Sequence, residues 1–319
     1  MSDKEEIKVA YTRDGFGEAL LELGATNPNV VALCADLAES TRMLAFKEKY
    51  PERYIELGVA EQNLATVASG LANYGKIPFI ASYATFSPGR NNEQIRTTIS
   101  LNNVPVKIVG SHAGLSVGPD GATHQALEDM ALMRVQPRMT VVSPCDKEEA
   151  RKATLAAATH PGPVYIRLAR EKTPVMTTRE TPFAIGKATV MWESAHGAEV
   201  AVFATGPLLY EALAAAKQIE QAVPTVVINV HTIKPLDVQT IVQHAKEARA
   251  VVVVEEHQVA GGLGSAIAEV LAQQCPTPIE FVGVKDMFGQ SGEPKELLEH
   301  YKLTAPHIAD AIRKVAGRK

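Results

Sequence analysis

Short apolar, β-branched runs that do not alternate with polar residues constrain this chain most. They are VVALCAD (30–36), IPFIASY (77–83), VKIVGSH (106–112), TVVSP (140–144) and VYIRLA (164–169). Helix-like segments lie between them, at 14–26, 37–49, 60–74, 87–100, 122–136 and 146–159. A strand that is apolar on both sides belongs to a sheet covered on both faces, and strands interleaved with helices make parallel βαβ units. The stretch EKTPVMTTRETPFAIGK (171–187) breaks both periods with two Thr-Pro pairs, and the pattern then resumes with VAVFATG (200–206), TVVINV (225–230), AVVVVEE (250–256) and IEFVGV (279–284). The expected fold is α/β: two tandem three-layer α/β/α domains with mostly parallel sheets, over residues 1–172 and 188–319, joined by a linker at 173–187.

Ligands of such sheets bind beyond the carboxyl ends of the strands. Asp36, Glu61, Phe86, His112 and Arg170 all follow strand-like runs. Glu61 stands in ELGVAEQNL, where a strand end turns into an apolar helix, so its carboxyl has small and apolar neighbours. A helix N-terminal Glu is favoured by the helix dipole alone. Between His112 and His124 lie Gly114, Gly118, Gly121 and Pro119-Asp120. This spacing predicts an unusual backbone path leading into a helix near Ala122, with His124 in its first turn, where free N–H groups favour anionic or hydroxyl ligands. A Pro-Asp-Gly turn with incidental histidines is the plainer account.

Asp36-Leu37-Ala38-Glu39 fits a helix cap, with Ser40 and Arg42 in the first turn. Arg13, beside a helix start, is not favoured by the dipole there, and arginine suits bidentate phosphate recognition. GGLGSA (261–266) is a weak dinucleotide signal, because its spacing is GGxG; close packing of helix on sheet explains it better. His231 and His257 end strands as structural or interface residues. With 32 basic and 36 acidic residues, the net charge of −4 argues against nucleic acid or a membrane surface as partner. Cys34, Cys145 and Cys275 form no zinc or disulfide pattern. The opening MSDKEEIK lacks a signal-peptide core, and no apolar run is long enough to span a bilayer, so a cytoplasmic globular protein is expected.

Several stretches together resemble the pyrimidine-binding domain of transketolases: DLAEST, YIELGVAEQNLATVASGLANYGKIPFIASYATF, GSHAGLSVGPDGATHQALEDMALMR and VYIRLAR. HTIKPLD and EEHQVAGGLGSAIAE resemble the C-terminal domain of the same family. The resemblance covers about residues 7–316 and is nearest to the C-terminal subunit of split transketolases. The family holds the diphosphate of thiamine diphosphate and its Mg²⁺ (or Ca²⁺) on a separate domain with Gly-Asp-Gly followed later by Asn; no Gly-Asp-Gly occurs in this sequence, which begins where that domain would end. The resemblance therefore implies an N-terminal partner subunit that carries the metal, with no metal ligands here, and homodimerisation within a two-plus-two heterotetramer.

For activity, the resemblance implies transfer of a two-carbon ketol unit from a ketose phosphate to an aldose phosphate, as in pentose phosphate exchange. Glu61 corresponds to the glutamate that shares a proton with the cofactor's aminopyrimidine ring. Phe86 and Tyr83 correspond to aromatics that pack on that ring. Arg13, Ser40, His112 and Arg170 match phosphate-binding positions, Asp120 a residue that reads a hydroxyl, and His124 a histidine near the reacting carbon. Other family readings stay open: half of a deoxyxylulose-phosphate synthase, a 2-oxoacid dehydrogenase beta chain, or a non-catalytic member. Specialised sugar phosphates and sulfonated sugars stay open as substrates.

Overall fold

The computed structural model describes residues 7–195 and 197–318; the first six residues of the charged opening segment lie outside the described residues. Its strands are β1 (Val9–Tyr11), β2 (Val30–Cys34), β3 (Tyr54–Glu56), β4 (Ile77–Tyr83), β5 (Lys107–Ala113), β6 (Thr140–Val142), β7 (Val164–Ala169), β8 (Lys172–Pro174), β9 (Thr189–Glu193), β10 (Val200–Ala204), β11 (Thr225–Asn229), β12 (Thr232–Lys234), β13 (Val251–Gln258) and β14 (Ile279–Val284). A seven-stranded sheet runs β12-β6-β7-β5-β4-β2-β3 and a five-stranded sheet β14-β13-β10-β11-β9, with β1 and β8 as a separate pair. Each large sheet is parallel except at one edge, where β12 runs against β6 and β9 against β11. Strands β2, β5, β7, β10 and β11 are buried throughout, as continuous apolar runs require.

The two halves are less separate than the tandem pattern suggests. Strand β12 comes from the second half yet completes the first sheet. One apolar cluster runs from Leu33 and Ile108 of the first sheet to Phe203 and Val253 of the second. The segment between the halves is pinned by Asp146, whose carboxylate accepts from Met176 N, Thr177 N and Thr177 Oγ1 at 2.6–2.8 Å.

The helix expected at 87–100 begins only at Asn92 and continues as a π-helical run over Ile95–Ser100, and two others are shorter still than their apolar spacing predicts. The first spans only Leu44–Lys49, because Asp36 and Arg42 take left-handed backbone, at φ 59° and 65°. Asp36 caps no helix; its N–H donates to Glu56 Oε1 at 2.7 Å, and Tyr54 donates to the other oxygen at 2.6 Å. The second spans Asp129–Arg134 rather than 122–136, so His124 lies in a turn and not on a helix N-terminus.

Lys107 is buried at the start of β5 and donates to the carbonyls of His160 (2.7 Å) and Gly162 (2.8 Å). Burial lowers its pKa to about 7. A depressed folded-state value means that its stabilising contribution is present above the unfolded-lysine range and is lost as pH falls through about 7. Relative to Lys107→Met, the wild type should gain stability between pH 7 and about 10, at about 1.4 kcal/mol per tenfold change in proton affinity. Denaturant unfolding of both proteins across that range checks this; parallel pH curves would contradict it.

Candidate functional site

Glu61 opens the helix Glu61–Asn73 directly after the turn that leaves β3. Its side chain is 2% exposed. The tertiary structure corrects the apolar setting expected for it. Arg90 Nη1 donates to Glu61 Oε2 at 2.9 Å, and Asn91 Nδ2 donates to the Glu61 carbonyl, also at 2.9 Å. The Arg90 guanidinium lies over the Phe86 ring, 4.6 Å from its centroid. One planar cation thus touches a buried carboxylate and an aromatic face at once. Arg90 is 48% exposed, so solvent screens the pair. A double-mutant cycle with Glu61→Gln and Arg90→Met is expected to give a coupling of about 1 kcal/mol in the thermal stability of the chain. Strict additivity would show that the two groups do not interact in solution.

The ends of β4 and β5 bring four rings together. Tyr83 stacks on His112 with centroids 4.1 Å apart and lies 6.2 Å from Phe86. His124 meets Phe86 edge-on at 5.4 Å and Tyr83 at 6.2 Å. His112 is 5% exposed, takes a left-handed φ of 56°, and shares a hydrogen bond with Ser111 Oγ through Nδ1 at 2.9 Å. Burial, with Arg13, Arg170 and Arg42 nearby, pulls its pKa down to about 3. The ring is therefore neutral at physiological pH.

Arginines ring this histidine. Arg13 Nη1 lies 3.4 Å from His112 Nε2 and donates to the Arg170 carbonyl at 2.8 Å. Its Nε is buried and has no hydrogen-bond partner among the described residues. Arg170 Nη1 donates to Val117 O of the glycine-rich turn at 2.5 Å. Arg42 is committed to Asp14 at 2.8 Å. Several positive charges with an unused N–H, beside a neutral imidazole, suit an oxyanion.

Ser40 is half-buried two residues before Arg42 and makes no side-chain hydrogen bond to this cluster among the described residues. Asp120 is exposed on the glycine-rich turn, and His124 is held by Thr123 Oγ1 at its Nδ1, 2.9 Å away. Glu61 (through Arg90), Phe86, Tyr83, His112, His124, Arg13 and Arg170 thus form one chain of contacts, with Asp120 on the adjoining turn, whereas no hydrogen bond joins Ser40 to it among the described residues.

Other motifs have different roles. Glu255 accepts from Leu263 N and Gly264 N, both at 2.8 Å, so a carboxylate already fills the helix start after GGLG. A Cβ at Gly264 would stand 2.7 Å from Phe281, in line with close helix–sheet packing. His231 stacks on Phe183 at 4.3 Å, and His257 Nε2 accepts from Ala131 N at 3.4 Å. Burial lowers both histidines to about 4, so both are neutral contacts between elements.

Sequence reasoning missed Arg90, Asn91 and a buried junction between the halves. In that junction Arg167 Nη2 donates to the Glu256 carbonyl of the second half at 2.8 Å, while its Nε pairs with Asp129 Oδ2 at 2.9 Å and Tyr165 donates to the same oxygen at 2.6 Å. The signal for it was an arginine inside the otherwise apolar run VYIRLA. Nothing in the local pattern marked Arg90, which is 29 residues from its partner.

Comparison with known proteins follows the same division of the chain. Residues 8–176 match the transketolase pyrimidine-binding domain, and residues 186–308 the transketolase C-terminal domain. The chain is 39% identical to the 6-deoxy-6-sulfo-D-fructose transketolase subunit SqwH of Clostridium sp. (strain MSTE9), covering 100% of this chain and 99% of that protein. It is 40% identical to a putative transketolase C-terminal section of Methanocaldococcus jannaschii, over 94% of each. A solved structure described as a split gene transketolase, inactive beta4 tetramer, superposes with a TM-score of 0.90 at 44% identity, covering 96% of this chain and 98% of that one. With both of its halves matched in order and relatives of the same extent, the chain belongs to the transketolase family, as the part made of the pyrimidine-binding and C-terminal domains.

Proposed function

We propose that this chain is the C-terminal subunit of a two-chain transketolase, moving a two-carbon ketol unit from a ketose phosphate to an aldose phosphate. The observation that carries this reading is the arrangement of Glu61, Arg90 and Phe86. The Arg90 guanidinium is a planar nitrogen cation that lies on Phe86 and donates to Glu61. An aminopyrimidine ring asks for the same two contacts, an aromatic face and a carboxyl, so these residues fit thiamine diphosphate. When bound, that cofactor supplies the nucleophilic carbon that takes up the two-carbon unit. Glu61 holds a proton at the ring nitrogen, with Phe86 and Tyr83 against the ring. Arg13 and Arg170, with His112 and Ser40, hold the sugar phosphate. Asp120 reads a sugar hydroxyl and His124 handles a proton near the reacting carbon.

The diphosphate and its Mg²⁺ or Ca²⁺ belong on an N-terminal partner in this reading. Among the described residues no cluster of three His, Cys, Asp or Glu side chains is placed to hold a metal ion. Support for the partner comes from relatives named as subunits or sections of a transketolase. A two-plus-two heterotetramer is the assembly proposed. Among the described residues no helix is long and apolar enough to cross a membrane. The cytoplasm is proposed as the site of action, in keeping with three free cysteines.

The substrate end admits a second reading. A relative 39% identical over this whole chain is named for 6-deoxy-6-sulfo-D-fructose, and guanidinium groups bind sulfonate as they bind phosphate. The test is co-expression with a partner carrying Gly-Asp-Gly…Asn. The purified pair is assayed for two-carbon transfer to ribose 5-phosphate from xylulose 5-phosphate and, separately, from 6-deoxy-6-sulfofructose. Transfer from the phosphate donor supports the first reading, and transfer from the sulfonate alone the second. Pyruvate decarboxylation without ketol transfer would overturn both.

A further inference from the structure

We infer that the second half of the chain positions the sugar site, and that Glu256 on β13 is a positioning residue for the glycine-rich turn carrying Asp120 and His124. This rests on the substrate roles proposed above for those two residues. Residues Leu115–Asp120 form two short 3₁₀ turns, flanked by positive φ at Gly114 (92°) and Gly121 (72°) and broken by Gly118 (77°). Arg170 and Gln125 of the first half bond to this turn, and the other half adds a buried acceptor. Glu256, 3% exposed, accepts from Ser116 N through Oε1 at 2.7 Å. A Cβ at Gly114 would stand 2.5 Å from that oxygen, so the carboxyl lies flat against the Gly114 backbone.

The other two glycines meet the loop that follows β14. A Cβ at Gly118 would be 3.2 Å from Gly292 O, and one at Gly121 would be 2.5 Å from Ser291 Oγ. Gln125 Nε2 donates to Gln290 O at 3.0 Å and to Leu115 O at 3.1 Å, which ties that loop to the turn. The three glycines therefore serve close approach as well as unusual φ. Glu256 is itself anchored, since its carbonyl accepts from Arg167 Nη2 at 2.8 Å while Arg167 pairs with Asp129. The path from Arg167 through Glu256 to Ser116 is continuous, buried and hydrogen-bonded, so the turn's position is set by the packing of the two halves. Glu256 touches none of the proposed substrate-binding side chains; it acts through the backbone of Ser116.

Three variants test this: Glu256→Ala, which removes the acceptor; Glu256→Gln, which keeps a carbonyl for Ser116 N; and Gly289→Ala. In the last, the new Cβ would stand 1.8 Å from Gln125 Oε1 and displace the second tie from an outer loop. Amide exchange over residues 114–125 of the chain alone should quicken by about tenfold or more in Glu256→Ala and Gly289→Ala and stay near wild type in Glu256→Gln. In the assembled enzyme the two loosening variants should raise KM for the sugar phosphate by about tenfold, with kcat within about threefold and thiamine diphosphate affinity unchanged. Unchanged exchange in Glu256→Ala, or a fall in kcat at constant KM, would overturn the inference. If Glu256→Ala fails to fold, Gly289→Ala and the Gln rescue decide it on the same readouts. Quickened exchange in Glu256→Ala, together with a wild-type assembly that transfers no ketol unit, would overturn the functional reading and leave the bracing of the turn standing.

Discussion

Glu61→Gln is expected to lower the turnover of the assembled two-chain enzyme by about 10²–10⁴-fold, the range of a positioned acid–base group, while leaving the fold intact. The substitution changes one heavy atom. Glutamine keeps an oxygen for Arg90, and the Glu61 carbonyl that accepts from Asn91 is untouched. The lost charge pairing involves a half-exposed arginine and costs little. What glutamine cannot do is share a proton with a ring nitrogen. The check is kcat at saturating donor, together with the thermal midpoint and the elution volume of the complex. Turnover within a few-fold of wild type would remove Glu61 from the mechanism.

The second large effect concerns the anion end. Arg13→Met should raise KM for phosphorylated sugars by roughly 10–150-fold, since a hydrogen bond to a charged group is worth about 1.5–3 kcal/mol. Of the three arginines near His112, Arg42 is already paired with Asp14, whereas Arg13 spends one N–H on the Arg170 carbonyl and leaves its buried Nε unused. His112 adds no charge, because burial and those arginines hold its pKa near 3. Binding should therefore weaken below about pH 6, where the phosphate takes up its second proton, with no contribution from His112 to the profile between pH 6 and 9. A phosphate-free ketose supplies the control. Equal losses on sugars with and without phosphate would refute the assignment of Arg13 to the phosphate.

The sheets were legible because burial on both faces leaves a mark on consecutive residues. The run VVALC in β2 and the run VAVFA in β10 carry that mark whole, and both are buried at every position. The helices at 37–49 and 122–136 were overextended for a related reason. Ala126, Leu127, Met130 and Met133 are all buried, yet the first two reach the core from non-helical backbone, bridged at Ala126 to Ala113, and only the last two from a helix. Apolar spacing reports burial and not the path of the backbone between buried positions. The antiparallel edge strand β9 alternates weakly and gave no continuous run to detect.

By itself, the sequence determined the class of fold, the strand ends at which chemistry-bearing residues stand, and, through specific motifs, the family. These are encoded locally: a β-branched run, a glycine where φ is positive, a carboxylate at the start of a helix. Tertiary structure alone decided which charges meet. Arg90 beside Glu61, Arg13 beside Arg170 and Glu256 beneath Ser116 join residues 29, 157 and 140 positions apart. It also decided that the halves share a sheet and a buried bond from Arg167, itself paired with Asp129, to the Glu256 carbonyl. Electrostatics and hydrogen bonding depend on distances between atoms remote in the chain, and no local period records those distances.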